Sequence, residues 1–274
     1  MNYYLEIPSV EHPHLLLALL DDANVRGVRV DRVSQGGGLQ FLSDSEAEEM
    51  VRLAHGAGVS IYSFVSVRNS FESLVDEHAG DQVRGEAAFA SALDELRRCS
   101  EIGFDGVLVA DVGLLAAAGE LIRGGQLGRL RLKTSAAIAP QNAAAASVYE
   151  RLGATSINVA ASMSIDDLVA LRESLDPETT LDIYIESPAQ FGGGLRYREV
   201  PEFVSKLSPV FLKFGLRNAP PTYPYGKHLE PAAEASIREK VRRAALVVEA
   251  LERVGVTRPR ALTLTDGGQR SGGS

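Results

Sequence analysis

The stretch LDIYIE, Leu181 to Glu186, decides the fold. Side chains alternate along a strand, so Asp182, Tyr184 and Glu186 share one face, and Leu181, Ile183 and Ile185 the other. The aliphatic face demands cover by helices, while the polar face carries charges that are costly to bury unless they are paired or meet a ligand. A parallel barrel resolves both demands, because its inner wall leads to a mouth formed by the C-terminal strand ends. FLKFGLR, residues 211–217, repeats the pattern, with Lys213, Gly215 and Arg217 on one face and Leu212 and Phe214 on the other. Glu186 and Lys213 are therefore expected as neighbours on adjacent strands, with a purely structural ion pair as the alternative to a functional one.

Working outward from this stretch, short aliphatic or β-branched runs alternate with helical patterns through eight rounds. The strands expected are Tyr3–Ile7, Gly27–Asp31, Ser60–Ser66, Gly106–Asp111, Leu130–Thr134, Ser156–Ala160, Leu181–Glu186 and Val210–Gly215. Ser43 or Asp44, Asn142 and Ser164 open helices as N-caps, and Gly56, Gly58 and Gly153 close them. The third unit is irregular: Phe71 to Ile102 is too long for one ordinary helix, so a loop or short helix near Gly80 is expected before a long helix ending at Gly103. The reading is a single-domain (β/α)8 TIM-like barrel over residues 1–265, followed by a flexible Gly/Ser-rich tail over 266–274. A doubly wound open sheet is the alternative, since alternation alone does not require closure.

Composition narrows the function classes. No apolar run approaches a membrane span, and MNYYLEIPS enters strand-like sequence without a secretion signal, so a cytoplasmic protein is expected. The net charge of -8 argues against a nucleic-acid partner and for a small molecule. Cys99 is the single cysteine, which excludes an internal disulfide and any four-cysteine metal or iron–sulfur site within one chain. The excess of Arg over Lys and the abundant Ala suggest a GC-rich bacterial source. A homo-oligomer stays open, because outward barrel helices can serve as dimer faces.

Several strand ends carry ionisable or amide side chains: Asp111, Lys133, Asn158, Glu186, and the group Lys213, Arg217 and Asn218. Lys133 and Asp111 are expected as a second acid/base pair. A lysine in a barrel can form a Schiff base when its pKa is lowered, or bind a carboxylate or phosphate as a cation. The glycine runs QGGGLQ and FGGGLRYREVPEF lie on the same side, as anion cradles or as plain connectors. His228, in the long loop RNAPPTYPYGKHLEP, is the histidine best placed for acid/base duty, while His12, His14, His55 and His78 lie in helical or surface contexts. No HExxH, GxSxG, P-loop or GxGxxG element is present. A divalent metal would need Glu186, Asp111, Glu6 and His228 brought together by folding.

FDGVLVADVGLL, LRLKTSAAIAPQNAAAASVYERLGATSINVAASMSIDDL and IYIESPAQFGGG together resemble the N-terminal barrel domain of the collagenase-like peptidase family of unassigned catalytic type, the U-thirty-two peptidases. LKFGLR resembles the family's Lys-Ile-Glu-Gly-Arg strand: Lys213 and Arg217 match, and Gly215 stands in place of the glutamate. The resemblance covers residues 100–255 and implies the barrel and the use of its mouth. Many family members hold an iron–sulfur cluster through cysteines and are implicated in oxygen-independent hydroxylation. Here Ser187, Pro188 and glycines stand where those cysteines would be, so no iron–sulfur cluster is expected.

These readings converge on a small-molecule enzyme doing lyase, aldolase or isomerase chemistry on an anionic metabolite, with no cofactor. Catalytic duty falls to Glu186, Lys213, Lys133, Asp111 and His228, and substrate binding to Arg217, Asn218, Asn158, Tyr184 and Glu6. A metal-dependent hydrolase or lyase at the same mouth and a non-catalytic partner subunit are the alternatives.

Overall fold

In the computed structural model, which describes residues 2–65, 83–222 and 225–257, eight parallel strands close into a barrel in sequence order. The strands are β1 (Tyr3–Pro8), β2 (Arg32–Ser34), β3 (Ser60–Val65), β4 (Gly106–Val109), β5 (Arg131–Thr134), β6 (Ala154–Asn158), β7 (Thr180–Glu186) and β8 (Val210–Phe214). Between and after them run α1 (Pro13–Val25), α2 (Asp44–Gly56), α3 (Glu86–Ile102), α4 (Val112–Arg123), α5 (Ala143–Arg151), α6 (Ile165–Glu173), α7 (Val200–Lys206) and α8 (Glu230–Arg253). Closure removes every sheet edge, and the open-sheet alternative falls with it. The proposed short element near Gly80, His78 and the tail from residue 266 lie outside the described residues.

Alternation decides which side chains meet the helices. Leu5 and Ile7, Val107 and Val109, Ile183 and Ile185, and Leu212 and Phe214 form, with the apolar helix faces, one continuous core between barrel and helices. The caps follow the sequence: Ser43 forms a capping box with Glu46, and Asn142 and Ser164 accept the backbone N–H groups of Ala145 and Asp167.

Two expectations are corrected. The second strand is displaced to Arg32–Ser34, because Val28 and Val30 sink into the core as its lead-in while the Asp31 carboxylate takes the Leu5 N–H at 2.7 Å. In the seventh strand the register slips: Tyr184 pairs with Lys213, but Glu186 pairs with Phe214. That bulge breaks the alternation on which the Glu186–Lys213 neighbourhood rested.

Candidate active site

The barrel interior is divided. Tyr62, Phe64, Leu108 and Ala110 of β3 and β4 with its following residue form a small apolar sector. The rest of the circle, from β5 through β8 to β2, carries the polar and charged side chains: Lys133, Ser156, Asn158, Asp182, Tyr184, Lys213, Glu6, Arg32 and Ser34 are all buried. At the base of this arc Arg32 stacks its guanidinium 3.6 Å above the Phe211 ring, which packs in turn against Tyr4.

Five ionised groups form one network. Arg32 donates to Glu6 Oε2 from Nε at 2.8 Å and from Nη2 at 2.5 Å, to Asp182 Oδ2 at 2.6 Å and to Ser156 Oγ at 3.0 Å. Lys133 donates to Glu6 Oε2 and lies 2.6 Å from Asp182 Oδ2. Ser34 and Ser156 hydroxyls complete the carboxylates, the former on Glu6 Oε1 at 2.7 Å and the latter on Asp182 Oδ1 at 2.9 Å. Burial alone would raise both carboxyl pKa values. Against it, Arg32 and Lys133 hold Glu6 well below the usual carboxylate range and Asp182 below it as well.

Lys213 stands apart. On β8 it lies two residues nearer the mouth than Phe211, as Tyr184 does relative to Asp182 on β7 and Asn158 relative to Ser156 on β6. Its ammonium donates to Asn158 Oδ1 at 2.8 Å, lies 4.3 Å from the Tyr184 ring centroid, and has its nearest carboxylate oxygen, Glu6 Oε1, at 3.7 Å. With Arg32, Lys133 and Lys213 set against Glu6 and Asp182, the network holds three cations and two anions when Lys133 is protonated. Burial, reinforced by the charges of Arg32 and Lys213, pushes the Lys133 ammonium down to about 7 despite Asp182 and Glu6. Lys213 shifts the other way: burial is outweighed by Tyr184, Glu6 and Asp182, and its pKa is raised.

The remaining expected residues separate into those that join this network and those that do not. Glu6, Lys133, Asn158, Tyr184 and Lys213 converge. Glu186 is buried but turned elsewhere: it accepts from Arg243 of α8, from the Tyr197 hydroxyl at 2.8 Å and from the Arg217 N–H at 2.9 Å. Asp111 does not pair with Lys133, because its carboxylate caps α4 by accepting the Leu114 N–H at 2.8 Å. His228 sits exposed in a short 3-10 turn, Lys227–Leu229. Arg217 and Asn218 are exposed at the end of β8, with the Arg217 side chain laid along Gly193.

Neither glycine run is an open anion cradle. The N–H groups of Gly36 and Gly37 already hold the Glu11 carboxylate at 2.7 and 2.9 Å. In the second run Gly194 donates to Ser187 Oγ at 2.7 Å and Gly193 to the Pro188 carbonyl at 3.1 Å. Gly215 is required by close packing, since a Cβ there would lie 2.6 Å from Pro188 Cδ and 2.9 Å from the Glu186 carbonyl.

Sequence reasoning missed Arg32 and gave Asp182 no role. Arg32 had a signal, for DRVS runs straight into the glycine run and so had to contain the end of the strand. Among the described residues no group of three or more His, Cys, Asp or Glu could hold a metal ion, and the set Glu6, Asp111, Glu186 and His228 is not assembled. No described helix is long and apolar enough to cross a membrane.

A family model for peptidase family U32 matches residues 39–187, more than half of the 274-residue chain. The chain belongs to peptidase family U32. No curated protein matches it. Among solved structures, the U32 peptidase Mk0906 is 18% identical with a TM-score of 0.48, covering 78% of this chain and 94% of that one. The YdjI aldolase from Escherichia coli K12 gives a TM-score of 0.54 at 14% identity, covering 91% of this chain and 90% of that one. Phospho-2-dehydro-3-deoxyheptonate aldolase (DAHP synthase) from Thermotoga maritima gives 0.51 at 13% identity, covering 94% and 72%. At these identities the likeness is one of fold. This U32 chain does not fit the family's cysteine-held cluster: its one cysteine, Cys99, is buried on α3, and Ser187 and Pro188 follow β7.

Proposed function

We propose that this U32 protein is an enzyme of small-molecule metabolism, working by acid/base or lysine chemistry of the lyase, aldolase or isomerase kind on an anionic carboxylate or phosphate substrate at the barrel mouth. One observation carries the reading: the Lys213 ammonium is buried in the barrel, its hydrogen bond goes to a neutral amide oxygen, and its nearest carboxylate oxygen lies at 3.7 Å. The surrounding groups keep that ammonium charged, and it has three donors, so it can still meet a bound anion.

In this reading Lys213 meets the substrate, either polarising a carbonyl as the cation its raised pKa favours or, against that bias, condensing with it after losing its proton. Tyr184 and Asn158 orient it. Lys133 is locked deeper between two carboxylates, and its pKa of about 7 makes it a proton store near neutrality. Glu6 touches Lys133 through Oε2 and faces Lys213 through Oε1, so it is the path between them. Arg217 and Asn218 receive the substrate at the rim. The two aldolases named above carry out their chemistry on the same fold, which supports this choice at the level of the fold only. Peptide hydrolysis is less favoured, since burial pushes the Cys99 thiol up to about 12, far from a thiolate nucleophile.

The test is borohydride trapping in the presence of 2-oxo acids and sugar phosphates, with peptide mapping, alongside thermal shifts with anions at fixed ionic strength. Anion stabilisation in the wild type, lost in Lys213→Met, supports the reading. Labelling of Lys213 would assign the covalent branch and its absence would leave the acid/base branch. No stabilisation by any anion would sink the proposal.

A further inference from the structure

The helix α8 buries Ile237, Lys240, Val241 and Ala244, so a lysine occupies its otherwise apolar stripe. Lys240 is 6% exposed, and its ammonium donates to the Pro8 carbonyl at 2.7 Å, its one hydrogen bond among the described residues. The position follows from the ends of β1 and β8. Their ladder runs from Tyr3↔Val210 to Glu6↔Lys213. Beyond it, the Gly215 N–H turns to the Glu186 carbonyl on β7 at 2.8 Å, and the Pro8 carbonyl is left to the lysine. Lys240 thus enters where the two strands part, one helical turn before Arg243, which holds the Glu186 carboxylate at the top of β7.

The surroundings offset its burial only in part. The Glu11 carboxylate, held by the Gly36 and Gly37 N–H groups, acts on Lys240 through space without a direct ion pair. Burial pushes the Lys240 ammonium down to about 8, opposed by Glu11 and aided by the charge of Lys213. Next to Pro8, Ser9 has φ 62, a left-handed conformation unusual for a residue with a side chain, so the chain is sharply redirected at this rim. Two buried ammoniums therefore stand near the C-terminal ends of neighbouring strands, Lys213 on β8 and Lys240, from α8, at the Pro8 carbonyl that ends β1, and each is hydrogen-bonded to a neutral oxygen.

Resting on the reading of the mouth given above, we infer that Lys240 is a second cationic contact for the substrate beside Lys213, and that the substrate class is a small dianion, a phosphate monoester or a dicarboxylate. A monocarboxylate would meet one ammonium and leave the other with only its partial counter-charge, Glu6 for Lys213 or Glu11 for Lys240.

Calorimetric titration with malonate, inorganic phosphate and acetate at matched ionic strength tests this on the full chain. Wild type is expected to bind both dianions about tenfold more tightly than acetate, the worth of one further charge-assisted hydrogen bond. Lys240→Gln should bring the three within about twofold while keeping acetate binding, Lys240→Arg should retain the preference, and Lys213→Met should lose all three. Should Lys240→Gln fail to fold, Glu11→Gln carries the test: removing that charge sharpens the dianion preference when Lys240 touches the ligand and leaves it unchanged when it does not. Anion binding with an unaltered preference in Lys240→Gln overturns this inference alone. No anion binding by wild type overturns the reading of the mouth as well.

Discussion

Replacing Asp182 by Asn tests the charge arithmetic of the barrel interior. The carboxylate lies 2.6 Å from Arg32 Nη2 and 2.6 Å from Lys133 Nζ. At an effective dielectric near 20, each contact is worth roughly 6 kcal/mol of gross attraction. Desolvation of the carboxylate and repulsion from Glu6 offset most of that, and the net loss expected is about 3–5 kcal/mol, the cost of breaking a buried pair. The substitution turns an excess of one cation into two. Lys133→Met in the same chain removes a cation and restores the original excess, so the double variant should be more stable than the sum of the single losses by about 1–3 kcal/mol. Urea unfolding of the four chains, followed by circular dichroism, measures the cycle. Strictly additive losses, or a loss for Asp182→Asn below about 1 kcal/mol as at an exposed pair, would refute the reasoning.

The pH dependence of stability follows from the two depressed lysines. Lys133 and Lys240 fall from the usual 10.5 to about 7 and about 8, so between those values and about 10 the unfolded chain binds more protons, and unfolding becomes harder as pH rises. From about pH 7 to about pH 9 the gain from Lys133 alone is about 2 kcal/mol, and Lys133→Met should flatten the urea midpoint over that range by the same amount. Gly215→Ala drives a Cβ into Pro188 and should cost about 1–3 kcal/mol, read as a lowered melting temperature. Glu186→Gln loosens the anchor of α8 at Arg243 and Tyr197 and should lower stability by about 2–4 kcal/mol while leaving anion affinity at Lys213 intact; a selective loss of affinity would return Glu186 to the site. Cys99 should resist iodoacetamide in the native chain and react once unfolded; rapid native alkylation would contradict its burial.

Seven of the eight strands were readable because each carries an aliphatic alternation on its helix-facing side, and that signal is local; the second was placed too early, at Gly27–Asp31 instead of Arg32–Ser34. Glu6, Lys133, Asn158, Tyr184 and Lys213 were readable for the complementary reason: polar residues on the other face of such strands have only the interior to occupy. What failed was non-local. The slip between Tyr184 and Glu186 is a property of two strands paired together, and neither strand's alternation contains it. Asp111 was misread although its signal was local, because an acid immediately ahead of a helical pattern is a capping residue first. Lys240 had a signal too: its spacing from Ile237, Val241 and Ala244 puts it on the buried stripe of α8, but only the end of β1 explains why an ammonium is tolerated there. The seat of Glu11 in the second-strand glycine run joins two loops whose approach no single segment encodes.

The division of the interior also bears on handedness. Every ionisable group of the network lies on the arc from β5 through β8 to β2, and the β3–β4 sector offers only Tyr62, Phe64, Leu108 and Ala110. In the proposed reading, a trigonal carbon held in the mouth between these walls meets the charged arc on one of its faces and, on the other, a wall whose one polar side-chain group is the Tyr62 hydroxyl. Under the proposed function, protonation or bond formation there is expected to favour one face, so that a prochiral substrate gives one enantiomer in excess.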